Sequence, residues 1–164
     1  MKLFYILATN IGDLSSLIEY MDFVPQFKKY RLKLFSSVQN KLGWDSKVGE
    51  NPLVAMLRPM ILALVGKSDN QAVIDEARRR FEQHLNGDLI DPNIRGVVYV
   101  LVSRYGDEKT QESLRKLYTA ADMTEEKVRL LRSMGQSLKP EIIEDILEFI
   151  FNPVRSKKPI KKHT

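Results

Sequence analysis

Cysteine is absent from the 164 residues, and histidine and tryptophan are scarce, with two copies and one. Without cysteine the chain forms no disulfide and offers no thiolate to a metal. This composition is compatible with a reducing compartment. The protein is expected to be cytoplasmic. The length indicates one domain, which at this size buries roughly two-thirds of its unfolded surface without a covalent or metal staple.

Catalytic motifs are also missing. The sequence contains no H-E-x-x-H zinc motif, no G-x-S-x-G nucleophile turn and no glycine-rich phosphate loop. His84 and His163 are far apart in the chain, and adjacent carboxylates such as Glu125 and Glu126 diverge on a helix. We therefore predict no catalytic, cofactor-binding or metal-binding residue, and we do not expect the isolated chain to be an enzyme.

Long apolar runs and a basic body are lacking as well. The N-terminal apolar run, residues 3–8, is too short for a bilayer span or a secretory signal core. Residues 154–164 hold five of the 26 basic residues and no acid, so the other 21 basic residues balance the 21 acidic ones. Residues 1–153 thus have no net charge and lack the clustered basic face that binding to a phosphate backbone requires. We predict no nucleic-acid or membrane partner, and a basic disordered tail at residues 154–164.

The stretch DPNIRGVVYVLVSRYG, residues 91–106, is the expected centre of the fold. Its β-branched and aromatic core favours a strand by residue preference. However, Asp91 is a good N-cap, Pro92 suits the first helical position, and Gly106 can adopt the left-handed turn that ends a helix. Because apolar residues fall on every side, we predict a helix surrounded by other helices.

Helices separated by short breaks account for the remainder. Glycines that can end helices stand at positions 43, 66, 87, 106 and 135, so a helix with its turn recurs about every 20 residues. A helical pair every ~40 residues is typical of HEAT and armadillo repeats. We predict an all-α stack of antiparallel helical hairpins, an α-α superhelix, over residues 1–153, as a partial domain truncated at both ends. A compact helical bundle is the alternative.

Local features extend this prediction. One predicted helical face carries Leu14, Leu17, Ile18 and Met21, which recur at the i, i+3, i+4, i+7 spacing. Pro59 lies inside an apolar helix, which it is expected to kink or restart. Thr124 is expected to cap a later helix. Trp44, in a loop rich in glycine and polar residues, is expected to anchor that loop to the core, with a binding role as the alternative.

Three consecutive arginines, residues 78–80, have the composition of a basic binding site. Acidic residues stand four positions before two of them, giving the pairs Asp75–Arg79 and Glu76–Arg80 on one helix. Residues four apart are neighbours on a helix surface. We therefore predict a solvated face linked by ion pairs.

Short motifs along the chain resemble one family. In order they are Lys41-Leu42-Gly43-Trp44-Asp45, Lys47 with Gly49-Glu50, Leu57-Arg58, Gly66-Lys67, Glu76-Ala77-Arg78-Arg79-Arg80-Phe81, Arg95 with Val98-Tyr99, Gly106-Asp107, Ala121-Asp122-Met123, Glu125-Glu126-Lys127, and Gly135 with Leu138 and Pro140. They closely resemble the C-terminal helical domain of the puromycin-sensitive type of gluzincin zinc aminopeptidase, a group that includes the endoplasmic reticulum aminopeptidases. The resemblance covers about residues 10–155.

The resemblance implies a supporting part of a peptidase. In that family zinc is held by H-E-x-x-H with a distant glutamate, and G-x-M-E-N holds the amino end of the substrate; neither motif occurs here. The matching region of the family is a HEAT-like stack that closes over the catalytic domain and walls off the peptide chamber. The chain departs from the family pattern at Pro59, and the similarity fades near Arg155.

The expected function is therefore that of a non-catalytic fragment of an aminopeptidase C-terminal domain, with the zinc in the parent enzyme. The implied partners are the parent's catalytic domain and a peptide substrate, and exposed apolar ends favour self-association. Arg95 and Tyr99 are the candidate peptide-contact residues. The competing interpretation places Tyr99 in the core and makes Arg95 a surface charge. The alternative function is an independent helical-repeat adaptor that binds a protein partner.

Overall fold

The structure, a computed structural model, describes residues 2–151. Within that range the chain forms helices and no strand, which confirms the all-α prediction. The helices are α1 (Lys2–Leu17), α2 (Val24–Leu42), α3 (Pro52–Gly66), α4 (Gln71–Leu85), α5 (Pro92–Arg104), α6 (Glu108–Ala120), α7 (Thr124–Met134) and α8 (Pro140–Phe151). The predicted tail at residues 154–164 and the predicted helix end at residues 152–153 lie outside the described range.

Contacts divide the helices into two compact units, residues 2–102 and residues 103–151. In the first unit α3 packs against α1, α2 and α4, and in the second α6 packs against α7. The pairs α2 with α3, α3 with α4, and α6 with α7 are consecutive in the chain, as in stacked helical hairpins. The single domain predicted for residues 1–153 stays a prediction.

The strand-like stretch forms helix α5, as its capping residues predicted. The Asp91 carboxylate accepts a hydrogen bond from the backbone N–H of Asn93 at 2.9 Å, so Asp91 is the N-cap. Between residues 97 and 102 every side chain is buried except that of Val100, which is half-buried. The burial of five of these six side chains compensates for the low helix propensity of β-branched residues. Helix α5 ends at Arg104, two residues before Gly106, and Asp107 then caps the next helix.

A glycine is needed at position 66, the last residue of α3, because of packing and not because of backbone conformation. Its φ is not left-handed; in this part of the chain Asp69, with φ of 64°, makes the left-handed turn. A Cβ atom on Gly66 would lie 2.5 Å from Cδ2 and 2.7 Å from Cδ1 of Leu101, which is 0% exposed. The absence of a side chain at Gly66 therefore lets α5 approach the end of α3.

The helix predicted to carry Leu14, Leu17, Ile18 and Met21 on one face ends at Leu17, so Ile18 and Met21 lie outside α1. Leu14, Leu17 and Met21 are 41%, 76% and 53% exposed, and the one buried residue of α1 is Ala8. Helical periodicity identifies residues that share a face, but it does not identify the neighbour that covers that face. In the described unit α1 packs on α3 and leaves Leu14 and Leu17 exposed.

Two further local expectations concern Pro59 and Thr124. Helix α3 does not restart at Pro59 and runs unbroken from Pro52 to Gly66, since the burial of neighbouring side chains compensates for one lost backbone hydrogen bond. Thr124 is the first helical residue of α7 and not its cap. The preceding Met123 holds the extended N-cap position and supplies no side-chain hydrogen bond.

Candidate functional site

Tyr99, one of the two candidate peptide-contact residues, lies in the core of the first unit. Its side chain is 1% exposed, and its ring meets Phe81 edge-on with centroids 6.1 Å apart. Its hydroxyl lies 3.0 Å from Nε2 of His84, whose Nδ1 lies 2.8 Å from the carbonyl oxygen of Asp88. A carbonyl oxygen only accepts, so Nδ1 donates to it, and in the neutral ring Nε2 then accepts from Tyr99.

Arg95, the second candidate, lies in the first turn of α5 and is half-buried. Its Nη2 donates to the carbonyl oxygen of Ile90 at 3.1 Å, just before the helix. Arg95 and Tyr99 are four residues apart and so share one side of α5. The structure therefore brings the two candidates together on one helix, next to the turn that joins α4 to α5. Their contact with a peptide stays a prediction.

A buried arginine that the sequence interpretation did not pair holds the loop between α2 and α3. Arg58 is 1% exposed; its Nη1 donates to Oε2 of Glu50 at 2.7 Å, and its Nη2 donates to the other carboxylate oxygen. Its Nε donates to the carbonyl oxygen of Leu42 at 3.4 Å. The hydrogen bonds from Arg58 lower the pKa of Glu50. A clue was available, because Arg58 is the one charged residue in the sequence of α3 and a buried charge needs a partner.

A second arginine, Arg80 of α4, holds the same loop from another side. Its Nη1 and Nη2 donate to the two oxygens of Asp45 at 2.8 and 3.0 Å, and its Nε donates to Glu76 at 2.7 Å. Its guanidinium lies over the Trp44 ring, 5.2 Å from the centroid. The hydrogen bonds from Arg80 lower the pKa of Asp45. We call Trp44, Asp45, Glu50, Arg58 and Arg80 the loop clamp.

The loop clamp gives Trp44 the anchoring role expected of it, although the anchor is partly an arginine and not the core alone. The tryptophan is half-buried, with the flat guanidinium of Arg80 against its ring. Arg80 is fixed in turn by two carboxylates, one from its own helix and one from the loop. Five residues quoted above for the family resemblance, Trp44, Asp45, Glu50, Arg58 and Arg80, thus form two groups of contacts that hold the same loop.

The arginine triplet is linked by ion pairs, as predicted, but with different partners. The predicted pair Glu76–Arg80 is present. Arg79 pairs with Glu76 at 2.7 Å instead of Asp75, and Asp75 pairs with Arg78 at 3.2 Å. The hydrogen bonds from Arg79, followed by those from Arg80, lower the pKa of Glu76. All three arginines are therefore engaged on the surface of α4.

Among residues 2–151, no cluster of three histidine, cysteine, aspartate or glutamate side chains is placed to hold a metal ion. In the same range, no helix is both long and apolar enough to cross a bilayer.

Comparison with models of protein families identifies the family of this chain. Residues 4–160 match the model of the ERAP1-like C-terminal domain. The chain belongs to the ERAP1-like C-terminal domain family. Membership in the ERAP1-like C-terminal domain family agrees with the all-helical fold and with the resemblance found in the sequence motifs.

Curated relatives of this ERAP1-like C-terminal domain are aminopeptidases. It is 35% identical over 131 residues to aminopeptidase M1 of Arabidopsis thaliana, covering 76% of this chain and 15% of the relative. Aminopeptidase M1-A of Oryza sativa subsp. japonica is 31% identical over 134 residues, with coverages of 78% and 15%. The puromycin-sensitive aminopeptidase of Caenorhabditis elegans is 26% identical over 137 residues, with coverages of 82% and 14%. The chain thus spans about 15% of the length of these relatives.

Proposed function

We propose that the chain is a non-catalytic part of a cytoplasmic zinc aminopeptidase of the puromycin-sensitive type, and that it forms part of the wall of the peptide chamber in the parent enzyme. The observation that carries the proposal is the family match over residues 4–160, together with relatives that are named aminopeptidases. In this proposal the zinc and the catalytic domain belong to the remainder of the parent enzyme. The relatives favour this function over an independent adaptor.

The loop clamp supports the role of a chamber wall, because a wall must keep its shape against a mobile peptide. Bidentate arginine–carboxylate pairs fix both distance and orientation. Arg58 and Arg80 each form such a pair with the loop, at Glu50 and Asp45 respectively. The loop is therefore fixed at two points to helices of the first unit.

Arg95 is the residue that we assign to peptide contact. It is half-buried, so part of its side chain reaches solvent, and a guanidinium binds the carboxylates and carbonyl oxygens that a peptide presents. Tyr99 is 1% exposed and acts indirectly, by fixing His84 and the turn between α4 and α5. In this arrangement Arg95 binds the peptide, and Tyr99 positions the surface beside Arg95.

Two measurements on the full chain test the proposal. A fluorogenic aminopeptidase assay with added zinc should show no turnover, and turnover that disappears with a chelator would overturn the non-catalytic assignment. In NMR, an unlabelled peptide should shift resonances of the first turn of α5, and Arg95→Gln should abolish these shifts. Arg78→Gln, which changes an exposed arginine of α4, is the matched control and should leave the shifts intact. Shifts that persist in Arg95→Gln would remove Arg95 from peptide contact.

A further inference from the structure

The turn that follows α4 contains a chemically labile pair of residues. Asn86 is the one asparagine in the sequence that is followed by glycine. Both Asn86 and Gly87 are exposed, and Gly87 has a φ of 107°, a conformation that side-chain-bearing residues rarely adopt. A Cβ built on Gly87 would meet no atom within 4 Å, so the turn is open to water. The backbone nitrogen of Gly87 therefore has no side chain of its own to shield it.

We propose that Asn86 is a site of spontaneous deamidation, and that the bond between His84 and Tyr99 controls its rate. The backbone nitrogen of Gly87, after losing its proton, attacks the side-chain Cγ of Asn86, and a C–N bond forms as the amide leaves as ammonia. Water then opens the resulting five-membered imide at either carbonyl. Opening at one carbonyl gives aspartate, and opening at the other gives isoaspartate, in which the chain runs through the side chain. No oxidant, reductant or enzyme is required.

The folded turn restrains this reaction through hydrogen bonds. The nitrogen that must attack is held by a bond from its N–H to the carbonyl oxygen of His84 at 3.1 Å. The His84 ring closes the turn from the other side through Nδ1 and the carbonyl oxygen of Asp88 at 2.8 Å. Tyr99, fixed in the core, holds Nε2 of that ring at 3.0 Å. Attack therefore requires the turn to open, and the Tyr99–His84–Asp88 chain opposes that opening.

The product would alter the end of α4. Deamidation places a new negative charge at the C-terminus of the helix, where the helix dipole disfavours anions, and close in sequence to Asp88. Isoaspartate also lengthens the backbone in the turn that His84 closes. Both products weaken the support that this turn gives to the start of α5, where Arg95 lies.

Peptide mapping by mass spectrometry after incubation of the full chain in warm, mildly alkaline buffer tests the inference. The mass increase for exchange of an amide for an acid should occur first at Asn86, with isoaspartate detected by an isoaspartyl methyltransferase. Asn70 and Asn93, which precede larger residues, are internal controls and should remain unchanged over the same period. The chain unfolded in urea gives the unrestrained rate, which should exceed that of the folded chain.

The controlling role of the hydrogen bonds is tested with Tyr99→Phe, which removes only the hydroxyl. This variant should deamidate at Asn86 several-fold faster than the original chain while still folded by circular dichroism. Gly66→Ala, which disturbs the same unit through Leu101 and not through this turn, should not show that acceleration. Equal rates in the original chain and Tyr99→Phe would refute the control by Tyr99. The site itself would be refuted if Asn86 stayed intact in both the folded original chain and folded Tyr99→Phe over a period in which it reacted in the urea-unfolded chain.

Discussion

The contact between Gly66 and Leu101 makes a quantitative prediction for Gly66→Ala. The new methyl carbon would lie 2.5 and 2.7 Å from the two terminal carbons of Leu101, whereas unstrained carbons approach to about 3.5 Å. Leu101 is 0% exposed, so it cannot turn into solvent. Overpacking of this kind costs about 1–3 kcal/mol, against a gain of about 0.5–1 kcal/mol for replacing glycine with alanine in a helix. We expect a net loss of about 1 kcal/mol in the free energy of unfolding.

Urea unfolding followed by the fluorescence of Trp44 measures this change, because the tryptophan lies in the same unit as Gly66. A loss of about 1 kcal/mol corresponds to a decrease of roughly 0.5 M in the urea midpoint. Gly12→Ala is the matched control, since Gly12 lies within α1 with nothing within 4 Å of the added carbon. That variant should gain about 0.5–1 kcal/mol.

A double-mutant cycle isolates the contact. In a Leu101→Ala background, which alone should cost about 2–5 kcal/mol, the two terminal carbons that obstruct the new methyl group are gone. Gly66→Ala should then be neutral or stabilising, with a coupling energy of about 1 kcal/mol or more. If Gly66→Ala stabilises the original chain as much as Gly12→Ala does, the close approach of α5 to the end of α3 is refuted.

Three further predictions concern single groups. Asp107→Ala removes the carboxylate that accepts a hydrogen bond from the N–H of Thr110, and it should lower the free energy of unfolding by about 1 kcal/mol in thermal or urea unfolding. Thr124→Ala removes no cap and should change that free energy by less than about 0.5 kcal/mol. Tyr99→Phe should cost about 1 kcal/mol by loss of its bond to His84, and a wild-type urea midpoint would contradict that bond. The pKa of Asp45 is lowered in the folded chain, so the ionised carboxylate contributes stability above its unfolded pKa, and this stability is lost as the pH falls below about 4. Asp45→Asn removes the titrating group, so the free energy of unfolding should depend less on pH in this range. A pH titration of Trp44 fluorescence measures that dependence.

Local signals in the sequence were sufficient to predict the helices and most of their ends. Capping depends on residues within one turn, so Asp91 and Asp107 could be identified from their neighbours alone. The same signals placed a helix where residue preference favoured a strand in α5. The prediction that Thr124 caps α7 was wrong by one position, because Met123 occupies the N-cap. Helix boundaries commonly differ by one or two residues between methods of assignment.

Features that depend on distant parts of the chain were not predicted. The partner of Arg80 in the loop, Asp45, lies 35 residues away in sequence, and no periodicity relates the two. The packing role of Gly66 depends on Leu101, which belongs to another helix. For the candidate site, the shared side of Arg95 and Tyr99 follows from their spacing. The burial of Tyr99 against His84 required the tertiary structure.

The pairing of Arg58 with Glu50 has a consequence for how this family can change over evolution. A guanidinium that is 1% exposed cannot be left without its carboxylate, because an unpaired buried charge costs several kcal/mol. Loss of either residue alone would be selected against, whereas their joint replacement by two apolar residues of similar volume would be tolerated. Positions 50 and 58 should therefore covary among homologues, with lineages retaining both charges or neither.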